Sequence, residues 1–501
     1  MHKSKDNANI AQGNEDEYLS KDDNTANTSQ KVVEANKKTY YIMNTDGVLS
    51  STSILKNLDN ADFRALVEKE ALGKEGKYTN EMPKYIKHMN KFGMEWEPMS
   101  DVGHMRYGPE GALIMELARD YANQVIRDVG IPVYNVLGTN MFRLSEKPVK
   151  QHAELFGDRL YQLESDNEKF VLRYAACHQQ FAMIKDWTIS YKNLPFGAFE
   201  IADSYRYEQQ GELVLGFRLR RMNMPDMHVF TKDMEEAKKV LLQIHKKIYS
   251  VMKELGRDYV SLYNTTSLDF IKNESKFMED LLKVEKKPVL IAVYPPGKDY
   301  YWVLNMEYHI IDQMGRPREI GTVQIDVGNA KRFGIKYNNG ENKEEYPVIL
   351  HTAIIGTVER FIYTLFDTAL KAGENKATLP MWISPTQVRI CPIKDSNATK
   401  ANAVADMLEA KGIRVDVDDR AQTLQRKISD AERHWVPYLV IIGDKEEKSD
   451  QLSIRVRKTG TTEKILLEGL ALRIKEEVGN KPFRSLPYPR NLLNRPIFNQ
   501  Q

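Results

Sequence analysis

Cysteine is nearly absent. The 501 residues carry two, Cys177 and Cys391, too few and too far apart for a disulfide framework, so a reducing cytosol is the default compartment. No run of about 18 apolar residues occurs, which argues against a membrane-spanning helix. The N-terminus, Met1-His2-Lys3-Ser4-Lys5-Asp6, leads into polar residues with no apolar core, so it does not read as a secretory signal. Charge of one sign is also lacking: 72 Lys and Arg against 70 Asp and Glu leave a net +2. A nucleic-acid surface would therefore have to come from local patches. No internal repeat is visible. At 42% hydrophobic and 28% charged residues, the chain reads as soluble and globular, and it is long enough for two or three domains.

Residues 1–37 are Asn, Asp, Lys, Ser and Gln with almost no large apolar side chain, and read as a disordered tail. A small module over 38–93 follows, with a strand at Tyr40–Met43 and a helix at Ala61–Leu72. Residues 94–375 form a central block. Long strands are expected at Phe196–Tyr207 and Glu212–Phe230, joined by a turn near Gln209-Gln210-Gly211, with more strands at Pro288–Val293, Tyr300–Asp312 and Glu319–Val327. Helices are expected at Leu113–Asp128, Asp233–Leu255 and Ile354–Ala372. Strands in series with helices on one side predict an α+β fold on an antiparallel sheet. After Thr378-Leu379-Pro380 strand and helix alternate, so 380–480 reads as a separate small α/β domain. The proline-containing, basic tail 481–501 carries no assigned function.

Two constellations carry chemistry. In Arg206-Tyr207-Glu208 and Gly216-Phe217-Arg218-Leu219-Arg220, alternate strand residues would share a face. That face would offer guanidinium forks to phosphate beside one acceptor, or else be a solvated charged hairpin. In His351-Thr352-Ala353-Ile354-Ile355-Gly356-Thr357-Val358-Glu359-Arg360, Gly356 permits close backbone approach. Arg360, alone in an apolar helix, needs an anion, either an internal carboxylate or a bound phosphate.

Together these segments resemble motifs two and three of class II aminoacyl-tRNA synthetases. With Cys177 upstream, His228 after Asp226-Met227, and His351, the chain resembles the threonyl-tRNA synthetases, from about Met94 to the C-terminal domain. The resemblance implies one Zn²⁺ per subunit on Cys177, His228 and His351, with a fourth position open for substrate. Threonine would bind that metal through its amino and hydroxyl groups, and valine would forfeit the hydroxyl bond. Shape alone rejects such an isostere only ~10²-fold. The resemblance further implies ATP with Mg²⁺, Arg206 on the α-phosphate and carboxylate, Glu208 on the adenine edge, and Arg360 with Arg218 on the γ-phosphate. Asp226 and an aromatic ring, Trp302 or Tyr301, would bind substrate. Gln324 is a matching active-site glutamine, and His152 a base for transfer to tRNA(Thr). The C-terminal segment, with Asp418-Asp419-Arg420 and Gly443-Asp444-Lys445-Glu446, resembles the anticodon-binding domain shared by the threonyl, prolyl, histidyl and glycyl enzymes. Glu446 and Arg455 match anticodon contacts there, while two further contact positions hold Ala421 and Trp435.

Some positions depart from the family pattern. Thr139 replaces a proline of the dimer motif, although a homodimer is still expected. Met222 stands where a phenylalanine stacks on adenine. Glu319 replaces a glutamine, as in an archaeal-type enzyme. Fewer than about 100 residues precede the catalytic block, so no proofreading domain is expected, and a separate trans-editing protein would have to remove serine from mischarged tRNA. The competing readings are a prolyl, histidyl or glycyl synthetase, and a non-catalytic synthetase-like tRNA-binding protein.

Overall fold

The computed structural model describes residues 37–52, 58–74, 83–296 and 300–498. The tail expected over 1–37 lies outside these, apart from Lys37. The core is a ten-stranded sheet. Its strands in chain order are β1 Thr39–Met43, β2 Leu49–Ser51, β3 Val133–Asn135, β4 Phe196–Tyr205, β5 Arg221–Thr231, β6 Val260–Thr265, β7 Val289–Val293, β8 Trp302–Ile311, β9 Pro317–Asp326 and β10 Val348–Ala353. The order across the sheet is β2-β1-β7-β6-β8-β9-β10-β5-β4-β3. Every pairing is antiparallel except β6 with β7 and β3 with β4, which is the expected class.

Helices Pro109–Arg127, Met234–Glu254 and Val358–Lys371 bury their apolar stripes in one core with the sheet. The second is set locally by its N-cap: the Asp233 carboxylate accepts from the Glu236 N–H at 2.8 Å, with Glu235 and Glu236 facing the positive end of the helix. The described residues of 38–93 are built onto this sheet, whereas the sequence sets the segment apart. Strand β1 pairs with β7, and Phe63, Leu66 and Val67 pack on Leu262 and Leu290. A two-stranded ribbon buries too little to stand alone.

The second long strand of the expected hairpin is shorter than its sequence suggests. It begins at Arg221, and residues 206–220 form a loop with a 3₁₀ turn at Gln210–Glu212 and a bridge between Val214 and Arg218. Gly216 turns this loop at φ +72°, where a Cβ would lie 2.8 Å from the Met89 methyl. The shared-face argument for Arg206 with Glu208, and for Arg218 with Arg220, is therefore overturned. All four lie beyond the strand ends.

The C-terminal domain carries β11 Val388–Pro392, β12 Val415–Val417, β13 Tyr438–Ile442, β14 Gln451–Val456 and β15 Thr461–Leu466, in the order β12-β11-β13-β14-β15. Its core is separate from that of the large sheet. The basic tail has a structural use, because it crosses both domains. Arg484 pairs with Glu116 and Asp120, and Arg490 with Asp406 and Glu409. Among the described residues, no helix is long and apolar enough to cross a membrane.

Candidate active site

The site lies on one face of the large sheet. Residues directly opposite on antiparallel strands point the same way, as do residues two apart on one strand. Gln324 of β9 pairs with His351 of β10, and His351 with His228 of β5. This register lines three of the expected residues in one row. From His228 the same face of β5 continues through Asp226, Met224 and Met222, and from Gln324 the face of β9 continues through Thr322 and Ile320. Except for His228, which lies beneath the surface, all of these line a cavity of about 1080 Å³. His152, Cys177, Arg206, Tyr301, Trp302, Glu319, Arg332, His351 and Arg360 line it too.

The residues expected to hold zinc gather at one end. The rings of His228 and His351 lie 4.5 Å apart. Each has one nitrogen engaged from outside: His228 Nδ1 lies 2.8 Å from Gln180 Oε1, and His351 Nε2 lies 2.6 Å from Asp326 Oδ2. His228 Nε2 is buried with no hydrogen-bond partner. An orphaned imidazole nitrogen whose ring-mate is held by a fixed acceptor is the arrangement a metal ligand needs. Burial holds His228 well below the usual histidine range, so it is neutral, as a ligand must be. Cys177 opens the helix Cys177–Ile184. Burial, with the nearby Asp226 and Asp326 carboxylates, pushes its thiol up to about 12. Its Sγ lies 3.6 Å from His178 Nδ1. Among the described residues, no three His, Cys, Asp or Glu side chains converge at ligand distance. The donor set fits zinc in kind, and the thiol must turn from His178 and lose its proton to complete it.

At the other end, Thr357 caps the helix Val358–Lys371 by accepting from the Arg360 N–H at 3.1 Å. Gly356 precedes it at φ +71°, where a Cβ would stand 2.0 Å from the Ile320 carbonyl oxygen, so only glycine fits. Arg360 donates to the Phe217 carbonyl at 3.2 Å and the Glu319 carbonyl at 3.0 Å, and lies 3.3 Å from the Glu319 carboxylate. The internal partner anticipated for it exists, and the same guanidinium still borders the cavity. Arg206 donates to the Tyr174 carbonyl at 3.2 Å and stands between the main cavity and a side pocket of about 340 Å³ shared with Arg159 and Glu208. Arg218 borders neither; it lies 3.4 Å from Glu208 and 3.5 Å from Glu212.

Tyr301 and Trp302 separate clearly. The Tyr301 hydroxyl donates to Gln324 at 3.1 Å and its ring lies 5.5 Å from His351. Trp302 packs instead on Tyr294 and Tyr300. His152 is buried, not a surface residue, with Nδ1 3.3 Å from the Tyr174 hydroxyl. Burial, with Arg332, His351 and Arg206 nearby, lowers its pKa to about 4. Burial raises Asp226 to about 6 against the pull of His351, Arg173 and Arg206. Sequence reasoning does not flag Gln180 or Asp326. The available signal for Gln180 is its spacing, one helical turn from Cys177.

Comparison with known proteins decides the family. The description "tRNA synthetase class II core domain (G, H, P, S and T)" matches residues 161–369, and "Anticodon binding domain" matches 387–477. The threonine–tRNA ligase of Pyrobaculum arsenaticum is 52% identical over 470 residues, covering 93% of this chain and 76% of its own length. That of Thermofilum pendens is 54% identical over 440 residues, covering 87% and 71%. The chain belongs to the threonine–tRNA ligases. A solved structure of the RNA-binding domain of threonyl-tRNA synthetase from Cryptosporidium parvum shares the fold with TM-score 0.69 at 21% identity, covering 81% of this chain and 99% of its own.

In the ligase's anticodon-binding domain, Glu446 accepts from Ser453 at 2.7 Å and from the Gly443 N–H at 3.1 Å. Arg455, two residues from Ser453 on β14 and so on the same face, lies 2.8 Å from Glu432. Trp435 is buried at φ +54° between the domains, 4.6 Å from the His88 ring, whereas Ala421 is exposed.

Proposed function

We propose that the ligase's threonine selectivity rests on one Zn²⁺ per subunit held by Cys177, His228 and His351. When bound, that ion supplies a Lewis-acid site for the amino and hydroxyl groups of threonine, and valine cannot fill it. The observation that carries this reading is the buried, unpartnered Nε2 of His228. Asp226 and the Tyr301–Gln324 pair border the same end and position the amino acid. Tyr301 is preferred to Trp302 because its hydroxyl already meets Gln324.

Arg206 orients the threonine carboxylate on the α-phosphate of ATP, which carries Mg²⁺. A carboxylate oxygen attacks phosphorus, the bond to pyrophosphate breaks, and threonyl-adenylate forms. Glu208, in the side pocket beside Arg206, reads the adenine edge. Arg360 holds the γ-phosphate; Arg218 acts through Glu208, as it borders neither cavity. These groups supply position and charge stabilisation. The terminal ribose hydroxyl of tRNA(Thr) then attacks the adenylate carbonyl and AMP departs. Neutral His152 orients that hydroxyl and accepts its proton. Glu446 and Arg455 contact the anticodon.

The test is amino-acid-dependent pyrophosphate exchange with threonine, serine, valine and proline, with and without a zinc chelator. Threonine and serine should support exchange, valine and proline should not, and chelation should abolish it. Full, selective exchange by metal-free protein would overturn the zinc reading. Serine keeps both liganding groups, so the chain should charge it, leaving removal to a separate editing protein; rapid hydrolysis of seryl-tRNA by this chain would refute that. A homodimer is supported by the edge strand β3, in which Tyr134 is 53% exposed and after which Leu137 is 83% exposed. A monomer in sedimentation would refute it.

A further inference from the structure

A second cavity, of about 640 Å³, opens where the two domains meet, and its charge is not balanced. Its walls are the helix Lys84–Lys91, the loop after the helix Val358–Lys371, the helix Leu424–Arg433 and strand β14. Lys87, Lys376, Arg433, Arg455 and Arg457 line it beside Lys91, and among the described residues Glu374 and Glu432 are the carboxylates in its wall. Some of this charge has a structural purpose. Arg457 donates to the carbonyls of Glu374, Ala377 and Glu432, and Lys91 and Arg433 sit in last helical turns, where the dipole favours cations. Lys87 and Lys376 have no such use. Both are exposed and neither pairs with a described carboxylate.

A second observation points to a missing anion. His88 is buried and borders the cleft, yet neither ring nitrogen has a hydrogen-bond partner; the nearest carboxylate oxygen, from Glu374, is 3.7 Å from Nε2. The cations crowd one another. Burial and then the charges of Lys87 and Arg433 lower Lys91, and burial with Lys91 lowers His88. Like charges held together around an unfilled donor fit a phosphate-bearing ligand.

The geometry points to this junction cleft as a docking groove for the RNA sugar–phosphate backbone of the ligase's own tRNA, held by Lys87, Lys376 and Arg433. It rests on the chain being a tRNA ligase and extends the anticodon surface proposed above onto the catalytic unit, because Arg455 and Trp435 line the same cleft. One wall belongs to the catalytic unit and the other to the anticodon-binding domain, so an RNA strand lying in it touches both. Such contacts position the RNA and carry no base information.

The test is tRNA binding by the full chain across a salt series, using a transcript of a threonine-accepting tRNA. The variant is Lys87→Ala with Arg433→Ala; the control is Lys276→Ala with Lys283→Ala, two exposed lysines elsewhere. Each lost phosphate contact should reduce the slope of log K against log salt by about 1. The cleft variant should therefore lose about 2 and bind several-fold more weakly near physiological salt, while the control keeps its slope. Threonine-dependent pyrophosphate exchange without tRNA should be unchanged in both, which keeps this test apart from that of the active-site reading. An unchanged slope in the cleft variant overturns the proposal, as does an equal fall in the control. Titration with inorganic pyrophosphate is the second arm. Thermal stabilisation that the cleft variant loses, with its tRNA slope intact, would make this a small-anion site and overturn the RNA reading.

Discussion

The candidate active-site cavity and the junction cleft are both lined by cations, and they differ in how far carboxylates balance them. In the catalytic cavity Arg360 is already held by two carbonyls and the Glu319 carboxylate, and Arg206 by the Tyr174 carbonyl. Glu154, Asp226, Glu307 and Glu319 balance Arg206, Arg332 and Arg360. In the cleft the cations outnumber the carboxylates, and Lys87 and Lys376 stand in solvent. A reaction site gains from charges fixed before the transition state arrives. A surface that docks a polyanion gains from net potential, and its side chains can stay loose until counterions leave. The two should therefore respond to different perturbations.

The largest separation should come from Arg206→Ala. Removing one pre-aimed donor costs about 10²–10³-fold, on the scale of 3–4 kcal/mol of transition-state stabilisation. kcat/KM for threonine-dependent pyrophosphate exchange should fall by that factor, with the salt slope of tRNA binding untouched. If Arg206→Ala flattened the slope instead, the division between the two regions would be wrong.

Acid should expose the next difference. His152 is held at about 4, below the usual histidine value of 6.5, chiefly by burial. A histidine whose folded-state pKa is depressed contributes fully above its unfolded pKa and loses that contribution as pH falls towards the folded value. The window here is 6.5 down to about 4, and the gap corresponds to about 3 kcal/mol. In urea unfolding at pH 7 and pH 4, His152→Gln should lose less stability than wild type, by up to that amount. Between pH 6 and 8 His152 stays neutral, so the transfer step should show no inflection from it. An inflection that vanished in the variant would mean that tRNA or adenylate restores its basicity.

The third perturbation acts behind the residues proposed to hold zinc. Outer partners of metal-ligating histidines are worth about 10–100-fold in metal affinity. Gln180→Leu removes the acceptor on His228 Nδ1, whereas Gln180→Glu keeps one. Competition with a chromophoric chelator should show weaker zinc binding in the first and near-normal binding in the second. Equal affinities would leave Gln180 as packing only.

How much of this was legible in sequence differs between regions for physical reasons. The long elements announce themselves: the helix Met234–Glu254 through its apolar period and Asp233 cap, the strands β8 and β9 through their apolar runs. Strand β15, Thr461–Leu466, does not, because nearly all its residues are exposed and it lacks an apolar face. Most of the loop 206–220, outside the turn expected near 209–211, reads as strand because Gly216's turn lies against Met89, a contact that no local pattern encodes. In the site, the histidine row follows from register, which three distant segments set jointly. Which of Tyr301 and Trp302 meets Gln324 depends on the irregularity in β8–β9 pairing after Trp302. The junction cleft is invisible in a chain of net charge +2, because its cations come from four separate elements.

The smallest effects test whether Arg455 belongs to the cleft's surplus or to the fold. Its 2.8 Å pair with Glu432 is partly exposed on both sides, and such pairs contribute about 0–1 kcal/mol. Arg455→Ala should therefore barely move the unfolding midpoint. If Arg455 meets RNA, that variant should weaken tRNA binding by a few-fold, whereas Glu432→Gln should strengthen it by a similar factor, because it removes a competing carboxylate and leaves the guanidinium to phosphate. A purely structural pair predicts something else: both variants lose the same small stability and neither alters tRNA affinity. Opposite signs in binding, with matched small changes in stability, would assign Arg455 to the RNA.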